Sequence, residues 1–254
     1  MQRILYLLLL GMRLLPSLAQ EADSLKSIPT ASADSTVVLA DTLFVRKDTL
    51  TIIGVGDIMM GTNYPESKLP PQDGKLLMEG VKDILASADL TFGNLEGVLL
   101  DSGGTPKSCR DPKVCYVFRS PTAYVQNLAD AWFDVMSLAN NHAGDFGDAG
   151  RRSSMQVLDS AGIEHAGLLT KPFTLFTRDS ITYGFTAFAP NSGCNSLNDL
   201  ANARAIVRHL DSLSDIVIVS FHGGAEGANY QHVPRTTEVF HGENRGNVHA
   251  FAHA

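Results

Sequence analysis

The sequence predicts an α/β sandwich with mixed β-sheets flanked by helices, on three observations. Apolar, β-branched runs alternate with segments of helical periodicity, which is the order of strand–helix units. Phe173 to Arg178 and Ile181 to Ala189 are separated only by Asp179-Ser180, so an antiparallel hairpin is inserted into that alternation. Four strand-like runs stop at Gly56-Asp57, Gly93-Asn94-Leu95-Glu96, Asn140-Asn141-His142 and His222-Gly223-Gly224. Strand ends in sheet-and-helix proteins are rigid and reach solvent, and ligands gather there.

The elements follow in order. Thr49 to Val55 is β-branched and apolar and predicts a buried strand that opens into a loop at Gly56-Asp57. Leu76, Leu77, Val81, Ile84 and Leu85 are spaced for a helix over 75–86. Leu90-Thr91-Phe92 is the second strand. Pro121 opens a helix to about Asp130, because proline is tolerated in a first turn. Phe133 to Leu138 is the next strand, with residues 140–147 as its loop. Asp148 is placed to cap a helix that runs to Ser160 and stops at Gly162. After the hairpin, 197–213 is helical and Ile216 to Phe221 is a last apolar strand.

Before this fold lie two segments of different character. Met1-Gln2-Arg3 is a basic start, Ile4 to Leu15 is mostly apolar, and Ser17-Leu18-Ala19 has the small-x-small pattern of a cleavage site. Residues 1–19 therefore predict a secretory signal peptide and an exported protein of the periplasm or cell envelope. The run is short of the roughly 20 apolar residues of a membrane span, and Arg13 interrupts it. Residues 20–48, mostly Ser, Ala, Thr, Asp and Glu, offer too little apolar surface to offset the entropy of ordering and predict a flexible linker. The domain is expected over 49–254.

Composition bounds the chemistry. With 44% hydrophobic and 19% charged residues, the chain has enough apolar side chains for a core. A formal net charge of −7 argues against non-specific nucleic-acid binding. Of three cysteines, Cys109 and Cys115 flank a loop-like segment and can close a small disulfide in an oxidising compartment, or remain as two neighbouring thiols. No second cysteine pair accompanies them as a zinc site would need. Cys194 is left over.

The strand-end motifs carry the functional reading. An Asp after Gly is most often a turn residue, and a loop Glu is most often solvated, so Asp57 and Glu96 mean little singly. A strand-end loop that contains Asn140, Asn141, His142 and Asp145 together has few structural reasons to do so. An asparagine oxygen is a neutral hard ligand for a divalent cation, and a neighbouring histidine exchanges protons near neutral pH. At His222, the two following glycines leave room for a metal or substrate, and Glu226 is placed to orient the ring. His249 and His253, four apart, share a helix face, but no HExxH or third ligand goes with them.

Taken in order, Gly56-Asp57-Ile58-Met59, Gly93 to Gly97, Phe118-Arg119-Ser120-Pro121, Ser137 to Gly147 and Ser220 to Glu226 resemble the blocks of the bacterial capsule-synthesis CapA family. That family is associated with poly-γ-glutamate capsules and is similar to calcineurin-like metallophosphoesterases. The resemblance implies a metallophosphoesterase-like sandwich and two divalent ions of manganese, iron or zinc. Asp57 would bind one ion, Glu96 would bridge, and Asn141 and His222 would bind the second. His142 would serve as the acid–base or charge-stabilising group, with Arg119, Asn94 and Asp145 against substrate. Met59 stands where metallophosphoesterases carry a further ligand. The family's late Gly-His-x-Pro-His block is absent, so a C-terminally truncated domain is expected.

The implied activity is hydrolysis at phosphorus or at a γ-glutamyl amide carbonyl of an anionic polymer, in company with membrane-bound capsule-synthesis machinery. The rival is a non-enzymatic protein that holds or guides such a polymer, with Lys107, Arg110, Lys113 and Arg119 as its basic contacts.

Overall fold

A computed structural model describes residues 49–254, apart from Arg110, Lys113 and Val114. The expected signal peptide and linker lie outside the described residues. β1 (Ile52–Ile58) leads to a short helix α1 (Lys82–Leu85), then β2 (Leu90–Leu95), and a small parallel ladder pairs β3 (Val98–Leu99) with β4 (Arg119–Ser120). α2 (Val125–Asp130), β5 (Val135–Ser137), α3 (Gly147–Ser160) and β6 (Glu164–Ala166) complete the first half. The second half runs β7 (Phe173–Arg178), β8 (Ile181–Phe188), α4 (Leu200–Asp211) and β9 (Ile216–Phe221). It ends on the hairpin of β10 (Glu238–Phe240) and β11 (Glu243–Gly246) and a last turn of helix, α5 (Val248–Ala252).

The strands form two principal sheets. The first is parallel throughout, in the order β1-β2-β5-β6. The second is mixed, in the order β7-β8-β9, with β7 antiparallel and β9 parallel to β8. The expected hairpin is present, and Asp179 and Ser180 turn it with positive φ at both positions, the backbone of a tight two-residue turn. It joins β9 in a sheet of its own rather than lying inside one continuous sheet.

One core serves both sheets. Leu90, Val135 and Met136 from the first pack in the same buried cluster as Tyr183, Phe185 and Ala187 from the second. The sheets approach closely at Gly167, where an added Cβ would lie 2.8 Å from the Ala139 Cβ and 3.0 Å from the Ala187 Cβ. Removing such side chains from water at about 25 cal/mol per Å² is the dominant favourable contribution.

Several boundaries differ from the sequence reading. The helix expected over 75–86 survives only as α1, because Leu76, Leu77, Val81 and Ile84 stay exposed and an unpacked apolar stripe does not stabilise a short helix. Asp148 does not cap α3; Phe146 holds that position without a side-chain bond, and Asp148 pairs with Arg151 one turn on at 2.9 Å. β1 continues past Val55, so Asp57 lies inside the strand. Its register to β2 shifts between Gly54 and Asp57, an irregularity of the kind that re-aims a side chain beside a site.

Candidate functional site

The C-terminal ends of the strands bring three ligand-bearing residues together. Asp57 near the end of β1, Glu96 after β2 and His222 after β9 each offer one atom, all within 4.8 Å of one another. His222 joins from the other sheet because its main-chain N–H extends the β8–β9 ladder, donating to the Phe188 carbonyl at 2.9 Å. Among the described residues this is the single such group of histidine, cysteine and carboxylate side chains.

A chain of amides sets the Asp57 side chain. Asn94 Nδ2 donates to Asp57 Oδ1 at 2.6 Å, Asn140 Nδ2 donates to Asn94 Oδ1 at 3.1 Å, and the His142 main-chain N–H donates to Asn140 Oδ1 at 3.0 Å. Three strand ends are thereby tied at the polar rim. Burial alone would push the Asp57 carboxyl up, but hydrogen bonds from His222 and Asn94, with the positive charge of Arg245 nearby, outweigh it and hold it below the ordinary range. Glu96 goes the other way: burial, then the negative charge of Asp57, push its carboxyl up.

His142 is presented to this group by one edge. Its Nδ1 lies 2.8 Å from Asp145 Oδ2 and 3.3 Å from Lys107 Nζ; the shorter contact is to a carboxylate, which can only accept, so the ring carries its proton there and turns Nε2 towards Glu96 Oε1 at 3.7 Å. Asp145 is fully buried, paired with Lys107 at 2.5 Å and accepting from the Phe118 N–H at 2.6 Å. Phe118 stacks on the imidazole with ring centres 4.2 Å apart. Lys107 and Phe118 flank the bond between Cys109 and Cys115 in the sequence, so the disulfide ties together the two segments that touch the histidine ring.

The residues present fit a divalent cation. Two carboxylates and an imidazole form a hard, borderline donor set suited to manganese, iron or zinc. Next to His142, the side-chain oxygen of Asn141 is buried and accepts no hydrogen bond from the described residues, an orphan that a cation would satisfy.

Other expected roles change. Asn94 and Asp145, expected against substrate, spend their polar atoms inside the protein, on Asp57 and Asn140 in one case and on His142, Lys107 and Phe118 in the other. Arg119, also expected there, donates to Asn63 Oδ1 at 2.7 Å and lies against the rings of Tyr64 and Phe146. Of the basic cluster, Lys107 and Arg119 are engaged in this way; Arg110 and Lys113 lie outside the described residues.

Glu226 does not orient His222 directly. Arg245 stands between them, its Nη2 at 2.5 Å from Glu226 Oε1 and 3.2 Å from His222 Nε2. Gly223 makes room for the main chain of β11 at Arg245, and Gly224, at positive φ, donates its N–H to the same carbonyl at 2.8 Å. The parts played by Asn140 and Arg245 went unnoticed in the sequence. Nothing local distinguishes Asn140 from its neighbours in the loop, and nothing local marks Arg245.

Residues 51–242 match the family model described as bacterial capsule synthesis protein PGA_cap. The chain is 25% identical over 203 residues to the capsule biosynthesis protein CapA of Bacillus anthracis, covering 72% of this chain and 49% of that protein. It is 31% identical over 124 residues to the uncharacterized protein y4sH of Sinorhizobium fredii, covering 48% and 25%. Among solved structures it is similar to a hypothetical protein from Thermus thermophilus, with a TM-score of 0.39 and 17% identity, over 70% of this chain and 59% of that one. The chain thus spans a quarter to a half of the length of these curated relatives. With three quarters of its sequence inside the match, this chain belongs to the bacterial capsule synthesis family PGA_cap.

Proposed function

We propose that this protein is an exported, metal-dependent hydrolase that acts on an anionic capsule polymer such as poly-γ-glutamate, or on a phosphoester, beside membrane-bound capsule-synthesis machinery. The observation that carries the reading is the convergence of Asp57, Glu96 and His222 with the open Nε2 of His142 turned towards Glu96. A divalent cation held there supplies an acidified water and a polarised electrophile. Asp57, Glu96, His222 and the orphaned oxygen of Asn141 are the residues that would hold it.

The chain's own contribution is proton handling. Asp145 fixes the Nδ1–H tautomer of His142, so Nε2 is the atom that accepts or returns a proton at the leaving group. Phe118 covers one face of the ring and limits its contact with water. The Asn94–Asn140 chain holds Asp57 and the His142 loop in one frame, so that the ligands and the acid–base group keep a common geometry.

Two observations support the cell envelope as its place: the signal-like pattern of residues 1–19 and the Cys109–Cys115 bond, which suits an oxidising compartment. The test combines metal analysis after gel filtration with phosphodiesterase and γ-glutamyl hydrolysis assays. Asp57→Ala and Glu96→Ala should lose metal, whereas His142→Ala should keep it and lose about 10²–10⁴-fold in turnover. Full metal content in both carboxylate variants, or a metal-free wild type that only retains polymer, overturns the proposal.

A further inference from the structure

Arg245 is a buried cation at the back of the site, and the role described above leaves it unused. It is 3% exposed and held from several sides. Its Nε donates to the Gly224 carbonyl at 3.0 Å, its own carbonyl accepts from the Gly224 N–H at 2.8 Å, and its Nη2 reaches both Glu226 and His222. A guanidinium has donors only, so the contact at 3.2 Å requires that His222 Nε2 be the acceptor. A neutral imidazole has one lone pair and one N–H. With Nε2 accepting from Arg245, the proton sits on Nδ1, which faces Asp57 Oδ1 at 3.3 Å as a donor.

That arrangement leaves His222 with no lone pair for a cation. Nδ1 is the nitrogen beside Asp57, and a cation that takes its lone pair displaces the Nδ1 proton. The ring then stays neutral with its proton on Nε2, facing a guanidinium that cannot accept it. We propose that Arg245 competes with a divalent cation for His222, so that metal enters as the guanidinium lets go of the ring. This rests on the metal-site reading above.

On release, the Nε–Gly224 contact remains as the pivot, and the half-exposed Glu226 carboxylate is the acceptor at hand for the new Nε2–H. The proton moves from Nδ1 to Nε2 through water, and none is lost from the ring. Electrostatics acts in the same direction, since the guanidinium offsets the negative charge of Asp57, Glu96 and Glu226 while no cation is bound. Arg245 thereby sets the affinity of the site and charge-balances the empty state.

The experiment is manganese binding by calorimetry on wild type and Arg245→Gln, with histidine nitrogen NMR on ¹⁵N-labelled wild type and His222→Gln as the assignment control. Arg245→Gln should bind manganese about 10–100-fold more tightly, the scale on which residues behind a metal ligand act. Metal-free wild type should show His222 protonated at Nδ1, and zinc should move that proton to Nε2. Unchanged or weaker binding in a folded Arg245→Gln overturns the proposal, and so does an Nε2–H tautomer without metal, a readout that needs no folded Arg245 variant. Absence of binding in both proteins sinks the metal-site reading together with the competition. Equal affinities remove the role of Arg245 alone.

Discussion

His142 is held at one nitrogen and open at the other, and that asymmetry is the contribution of Asp145. Asp145→Asn keeps the size of the side chain but offers an amide that can bond Nδ1 in either sense, so the tautomer is no longer imposed. Turnover should fall by roughly 10²–10⁴-fold with metal content unchanged, as read by kinetics alongside metal analysis. Equal loss of metal would mean that Asp145 supports the ligands rather than His142. His165 acts on stability instead. It is fully buried, its Nδ1 has no partner among the described residues, and burial, then the charge of Lys171, hold its pKa below the ordinary 6.5. The folded chain therefore takes up this proton at lower pH than the unfolded chain does. The stability tied to the neutral ring is present above about pH 6.5 and is lost as pH falls towards the folded pKa. In urea titrations, His165→Gln should show a shallower loss of stability below about pH 6.5 than wild type.

At the scale of elements, the strap between Lys107 and Phe118 works through both of its ends. Lys107 pairs with Asp145, Phe118 stacks on His142, and the Cys109–Cys115 bond closes the segment between them. Replacing both cysteines with serine should cost about 2 kcal/mol of stability. It should also lower turnover by about tenfold or more, because a displacement of roughly 1 Å in a supporting group is enough for such a loss. A melt shifted downward with full turnover would show that the strap is only a clamp. The longer strands were legible because β-branched runs such as Ile216–Phe221 announce themselves locally. The helix expected over 75–86 was not, because its periodicity is real but, among the described residues, Leu76, Leu77, Val81 and Ile84 stay exposed. β3, β4 and β6 are two or three residues long, too short for any period to register.

Across the whole molecule, the site is assembled from both sheets. Asp57 and Glu96 come from β1 and the end of β2, while His222 follows β9. A cation held by these residues would bind the folded chain and not the unfolded one, so its binding would raise stability. At a manganese concentration about a hundredfold above Kd, the gain should be about 2.7 kcal/mol, seen as a higher Tm that a chelator reverses. Asp57→Ala and Glu96→Ala should melt at the same temperature with and without manganese. A shift of equal size in those variants would place the cation elsewhere.

Residues 57, 96, 142 and 222 were recognisable in the sequence alone, because each is a polar group of ligand chemistry placed where an apolar run stops, and that is a local pattern. The alternation of strands and helices was readable for the same reason. What Asn94, Asn140 and Arg245 do was decided only by the tertiary structure. Asn94 meets an Asp57 side chain that lies 37 residues away in the chain, and Arg245 meets a His222 side chain 23 residues away. A hydrogen bond depends on where two groups end up in space, and no spacing along the chain encodes that. Asp145 shows both sides: its presence in the loop was visible, but its burial against Lys107 and His142, which makes it the anchor of the His142 ring, required the fold.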